Sequence, residues 1–297
     1  MPADSDRAPG LLVCWGELLW DLFPDGPRLG GTAANAAYHA AQLGQPVALV
    51  SRVGDDSLGA RARDQLGAAG VDVRCVQVDP ERPTGTVKVE LRDGEPSYRI
   101  ESEVAWDRIE WTHELEVLIG SAGALCYGTL AQRTPLGSGA LLRALEHNPE
   151  LALRVCDLNL RPPFASTAAI EKALGAATVV KLNEAEAAEL CRLFGVTDAI
   201  DWLLQRPAIS AVAVTRGARG AVLANRSERH EQPGAPAAAG DPVGAGDAFT
   251  AVLAIELMRK SPLGTVAARA NRYAAYVASQ PGAMPPIPPT LRESLSE

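Results

Sequence analysis

Short apolar runs alternate with Ala- and Leu-rich segments of helical period along most of the chain, and this order constrains the fold more than composition does. LLVCWGELLWDLF is followed by helix-like AANAAYHAAQLG, then PVALVSRVG, SLGARARDQLGAAG and VDVRCVQV. Strand, helix and strand at this spacing make a parallel pair with a right-handed crossover. In the later half LRVCDLNL, TVVKL and AVAVTRG read as buried strands, separated by helical segments 166–175 and 184–206. The predicted frame is one mostly parallel sheet carrying residues 1–297 as a single domain.

Residues 84–102, TGTVKVELRDGEPSYRIES, break the pattern. Val87, Val89 and Leu91 alternate with charged residues, and Asp93-Gly94 supplies a tight-turn signal, so a hairpin is predicted. Such an insertion serves as a lid over a site, as an oligomer surface, or as both. The proline-rich QPGAMPPIPPT cannot continue the helix RANRYAAYVAS and reads as an extended closing segment.

The net charge of −8 at pH 7, without a long basic cluster, argues against nucleic acid as a partner. The opening MPADSDRAPG lacks a signal-peptide core, and no run of about 18 apolar residues could span a bilayer, so no membrane partner and a cytoplasmic location are expected. Cys14, Cys75, Cys126, Cys156 and Cys191 form no CxxC pair and read as small buried hydrophobes. With scattered histidines and no GxSxG elbow, zinc sites and hydrolase triads have little support.

Two nucleotide motifs fail. None of Lys88, Lys172, Lys181 and Lys260 follows a Walker A loop, and Phe249 occupies the decisive position of a dinucleotide GxGxxG match at Gly244-Ala245-Gly246. The stretch GDPVGAGDAFTAVL, residues 240–253, instead offers a small-residue turn entering a helix, where free N–H groups attract an anion. Asp247 there could be a catalytic base, or a first-turn carboxylate favouring the helix by about 0.3–1 kcal/mol. Asn183 and Glu186 have capping-box spacing, yet the same spacing puts an amide and a carboxylate at a strand's carboxyl end, suited to Mg²⁺. Thr215 and Gly217 after a buried strand suit a nucleotide phosphate or an ordinary turn. Asp21, read as a strand end, and Asn35, behind Gly30-Gly31, could bond a polyhydroxy ligand or serve as loop and cap groups.

The order of LGGTAANAA, DLNLR, LNEAE, VTRGARG, GDPVGAGDAF and ANRYAAYVASQPGA resembles the ribokinase-like family of carbohydrate kinases over nearly the whole chain. The resemblance implies a three-layer α/β/α sandwich with a small β-sheet lid, formed mainly by about 84–106 plus part of 18–30. It implies Asp247 as catalytic base, Gly244, Ala245 and Gly246 as anion hole, and Asn183 with Glu186 organising Mg²⁺ and phosphate, Glu186 through water. Asp21, Gly31 and Asn35 would face the sugar, and Thr215, Gly217 and Asn271 the ATP. Arg161 is carried over as a substrate residue, and Asn159 and Arg161 are left open between sugar and phosphate. Pro242 stands where the family's motif usually carries Thr, removing an N–H and a hydroxyl. Asp241 and the Val243 carbonyl could still serve a K⁺ site. GELLWD, FPDG, LGG and DLNLR most resemble the fructokinase branch, implying D-fructose, with ribose, 2-keto-3-deoxygluconate or a nucleoside as alternatives. A silent sugar- or nucleotide-binding regulator is the rival class, and a homodimer through the lid is a further expectation.

Overall fold

Residues 10–92, 95–235 and 240–296 are described by the computed structural model, so the Asp93-Gly94 turn and the leading residues 1–9 lie outside the described residues. The first part runs β1 (Leu11–Trp15), β2 (Leu19–Phe23), β3 (Gly26–Gly30), α1 (Thr32–Gln42), β4 (Val47–Gly54), α2 (Ser57–Ala68), β5 (Val76–Asp79), β6 (Gly85–Arg92) and β7 (Glu95–Ile100). The middle runs α3 (His113–Gly120), β8 (Ala122–Gly128), α4 (Pro135–His147), β9 (Leu153–Asp157), α5 (Thr167–Gly175), β10 (Val179–Asn183), α6 (Glu184–Phe194) and α7 (Ala199–Leu204). The last part holds β11 (Ala211–Thr215), β12 (Ala221–Asn225), β13 (Arg229–Gln232), α8 (Ala245–Met258), α9 (Leu263–Ala278) and α10 (Pro289–Ser296).

Among the described residues, nine strands form one sheet in the order β13-β12-β11-β10-β9-β8-β1-β4-β5. From β11 to β5 neighbouring strands are parallel, and β12 and β13 close one edge antiparallel. Successive side chains of a strand point to opposite faces. Leu12 and Cys14 of β1 therefore join one core layer with α1, α8 and α9, whereas Val13 and Trp15 join the other with α3, α4, α5 and α7. Helix α8 is buried from Ala248 to Glu256, which is why AFTAVLAIE carries no polar stripe.

A smaller sheet has the order β3-β2-β6-β7. The expected hairpin is present as antiparallel β6 and β7, with Val87 opposite Ile100, and β2 joins β6 in parallel. The sheet ends at Ile100, and Ala105–Arg108 is a 3-10 turn rather than a continuation of it.

Four local expectations need correction. LLVCWGELLWDLF is two strands in different sheets, so Asp21 sits in the middle of β2 opposite Arg28 and not at a strand end. Residues 184–206 hold two helices, because Gly195 adopts the left-handed conformation that ends α6 and Asp198 caps α7. Of VDVRCVQV only the end is strand, although Val71 is buried. The closing segment is extended only to residue 288, and its last two residues, Pro289 and Thr290, open α10, where a first helical position tolerates proline.

Candidate active site at the carboxyl ends of the strands

Parallel β1, β8, β9, β10 and β11 bring their carboxyl ends to one edge of the sheet, and the neighbours of β1 are β4 on one side and β8 on the other. Ligand crevices of open α/β sheets form where the strand order reverses in this way. The amino end of α8 meets α1 there: Asn35 Nδ2 donates to Asp247 Oδ2 at 2.6 Å. Gly244 is the N-cap of α8 and offers no side chain to cap it, and Ala245 N donates to the Pro242 carbonyl at 3.2 Å. That bond closes the turn through an atom proline retains, and it engages one of the three expected anion-hole amides. The Gly246 and Asp247 amides follow in the first turn, where no helical acceptor exists.

The Asp247 carboxyl is pushed up to about 7, first by burial and then by the charge of Asp157, with Glu17 adding to it and the Asn35 bond and Lys181 opposing. A carboxylate that merely complemented the helix dipole would be pulled the other way. A group that exchanges its proton near neutrality is suited to general-base work. Asn35 is buried, and its Oδ1 has no partner, leaving an acceptor beside Asp247 for a hydroxyl.

Asn183 and Glu186 form the capping box: Asn183 Oδ1 accepts from Glu186 N at 2.9 Å and Glu186 Oε2 accepts from Asn183 N at 2.8 Å. Glu186 Oε1 also accepts from Leu160 N at 2.8 Å, tying α6 to the segment after β9. Burial raises the Glu186 carboxyl. With both oxygens already accepting N–H groups, contact with a divalent cation through water suits it better than direct ligation. Among the described residues, no group of three or more His, Cys, Asp or Glu could hold a metal alone. Asp241 Oδ1 accepts from Val243 N at 3.1 Å and Oδ2 from Gly282 N at 3.3 Å, so it fastens the turn before α8 to the segment after α9.

Toward the small sheet, burial raises the Asp21 carboxyl to about 6, and exposed Arg161 opposes the rise. Gly31 precedes α1 at φ +106°, and a Cβ there would collide with the Glu17 carbonyl. Glu17 Oε1 accepts from Thr32 N at 3.0 Å, and Asn159 donates to the Thr32 hydroxyl. Asn159 thus serves the amino end of α1. Thr215 is the register partner of Asn183, and a Cβ on Gly217 would meet nothing within 4 Å, leaving that turn open to a ligand. Asn271 is different: it is buried, and its amide donates to the Pro233 carbonyl at 2.8 Å, fixing the strand-end segment beside α9.

Glu17, Asp157, Lys181 and Thr250 were not singled out as site residues from the sequence. Lys181 Nζ lies 2.9 Å from Asp157 Oδ2, with both side chains almost fully buried, and Thr250 Oγ1 is 2.7 Å from the same oxygen. The available signal was a charge inside an apolar strand run, in VCDLN and VVKLN, which burial obliges to find a partner.

The model of the pfkB family carbohydrate kinases matches residues 26–290. Fructokinase-1 of Oryza sativa subsp. japonica is 31% identical over 305 residues, covering 94% of this chain and 94% of that protein. Among solved structures, fructokinase from Vibrio cholerae O395 in its fructose-, ADP- and calcium-bound form is 26% identical, with a TM-score of 0.78 over 98% of this chain and 100% of that one. Fructokinase with bound ATP from Xylella fastidiosa has a TM-score of 0.86 at 22% identity, covering 97% of this chain and 98% of that one, and shares the fold.

Proposed function

The chain belongs to the pfkB family of carbohydrate kinases, and from that membership we propose that it transfers the γ-phosphate of ATP to the 6-hydroxyl of D-fructose. It is a sugar kinase, a phosphotransferase with an alcohol group as acceptor. The observation that carries hydroxyl phosphorylation is the Asn35–Asp247 bond beside an unpartnered Asn35 Oδ1, because a base and a free acceptor side by side suit a hydroxyl group, and the likeness to fructokinases supports fructose as the acceptor.

In this reading Asp247 takes the hydroxyl proton as the oxygen attacks phosphorus, and the Gly246 and Asp247 amides bind the phosphoryl oxygens, with Gly244 and Ala245 shaping the turn. Asp21, Gly31, Asn35 and Arg161 orient the sugar, while Thr215 and Gly217 face the nucleotide and Asn271 supports that side from behind. Glu186 would hold Mg²⁺ through water, and the ion would supply charge neutralisation there. Asp241 would serve K⁺. The small sheet acts as a lid that excludes water.

A coupled ADP-release assay across fructose, ribose, 2-keto-3-deoxygluconate, glucose and adenosine tests the substrate. Fructose is expected to give the highest kcat/KM. A preference for ribose, ketodeoxygluconate or adenosine would move the protein to that branch of the family, and no turnover on any of the five would sink the proposed acceptor class. We also propose a homodimer through the strands at the ends of the small sheet, β3 and β7, since such edges pair readily. Sedimentation of the free protein is expected to give the dimer mass, and a monomer at micromolar concentration rejects it.

A further inference from the structure

Asp157 ends β9 and Lys181 lies in β10, and the parallel register sets them side by side. Lys181 Nζ donates to Asp157 Oδ1 at 3.1 Å and Oδ2 at 2.9 Å. A buried ion pair is weak ground for stability, since the cost of removing two charges from water can cancel their attraction. Its surroundings suggest another use. Thr250, one helical turn beyond Gly246 in α8, has its Oγ1 at 2.7 Å from Asp157 Oδ2 and 3.0 Å from the Gly246 carbonyl. A Cβ built on Gly246 would stand 3.1 Å from Lys181 Nζ, so the ammonium packs directly beneath the residue before Asp247.

We infer that Lys181, Asp157 and Thr250 are positioning residues for phosphoryl transfer, anchoring the first turn of α8 to the sheet and setting a paired charge under the base. The inference rests on the reading of Asp247 as that base. Thr250 fixes where the turn sits, because its hydroxyl is shared between the carboxylate of β9 and the turn's own carbonyl. The ion pair fixes what field the turn feels. The groups facing Asp247 are Asn35 from α1, Glu17 from the segment after β1, Asp157 from β9 and Lys181 from β10, and Glu186 of α6 faces Lys181. Of these, Lys181 supplies the positive charge. Removing it alone leaves Asp247 facing uncompensated carboxylates, and removing Asp157 alone leaves an uncompensated ammonium.

The test is the pH dependence of kcat. Lys181→Met is expected to move the acid limb to higher pH and Asp157→Asn to lower pH, while the double variant brings the limb back toward the parent's. Thr250→Val is expected to lower kcat about tenfold or more, as a small misplacement of a reacting group does, with little change in either KM, and Thr250→Ser to restore it. Circular dichroism checks folding. Lys181→Met can fail to fold by stranding Asp157, but the Thr250 pair avoids that outcome. An unmoved limb, limbs that shift in the same direction, or full kcat in a folded Thr250→Val overturns the inference. Full turnover in Asp247→Asn would instead remove the base reading beneath it, so the two failures are distinguishable.

Discussion

Asp247→Asn is expected to lower kcat by about 10²- to 10⁴-fold, the usual cost of losing a general base, while the chain stays folded. The amide keeps the shape of the carboxyl group and can still meet Asn35 across the 2.6 Å contact. What it loses is the ability to take a proton. Because the chemistry and not ground-state binding is affected, the sugar KM should change little beside kcat. A variant that unfolds would show Asp247 to be structural, and one that turns over at the parent rate would leave the reaction without its base.

The same substitution has an expected effect on stability with a definite pH dependence. The native carboxyl has been pushed up to about 7 from an ordinary 3.8, so between these values the folded chain holds a proton that the unfolded chain has lost. Its contribution to stability is therefore full below about pH 4 and is lost as pH rises through about 7. The asparagine variant does not titrate. Its Tm should match the parent's near pH 4, rise above it across the window and stay above it at pH 8. Equal Tm values at both pH 4 and pH 8 would contradict the burial cost assigned to this carboxylate. A site more stable without its base is what activity exacts when a charge must be kept in a partly dry cleft.

What the sequence disclosed follows from which interactions are local. Strand and helix alternation was legible because a sheet covered on both faces demands apolar runs, and the Asn183–Glu186 box was legible because capping is a three-residue affair. The turn at Gly244 to Asp247 was legible for the same reason. Asp157 and Lys181 are 24 residues apart, and only the register of two strands makes them one group. Asp21 was misread because a single apolar run does not announce that the chain changes sheets between Trp15 and Leu19. Asn271 has the right place in its motif, yet its amide serves Pro233, a contact no motif carries.

Gly244→Ala is the second large effect expected, of the order of 10²-fold in kcat, the scale on which misplacing reacting groups is felt. Gly244 has φ +81°, which a side chain resists by about 1–2 kcal/mol. Strain alone would only destabilise. Here a Cβ would also stand 2.6 Å from the Ala283 carbonyl oxygen and 2.7 Å from its Cα, which are backbone atoms that cannot swing aside. Nor can Ala283 readily retreat, since its carbonyl is 2.9 Å from Nε2 of buried His39 in α1. Burial pushes the His39 ring down to about 4, so it is neutral at pH 7, with the carbonyl fixing its proton on Nε2 and Nδ1 left to accept from the Tyr273 hydroxyl at 2.9 Å. With α1 and α9 both holding that segment, the turn carrying Asp247 is the part that must move, and it moves relative to Asn35 on the same α1. Gly195→Ala separates strain from displacement, because Gly195 shares the left-handed conformation at φ +65° but a Cβ there meets nothing within 4 Å. Both variants should lose stability, and only Gly244→Ala should lose turnover in the fraction that remains folded. Equal specific activity in the two would show that the turn tolerates displacement and that its contact with Ala283 does not set the geometry of transfer.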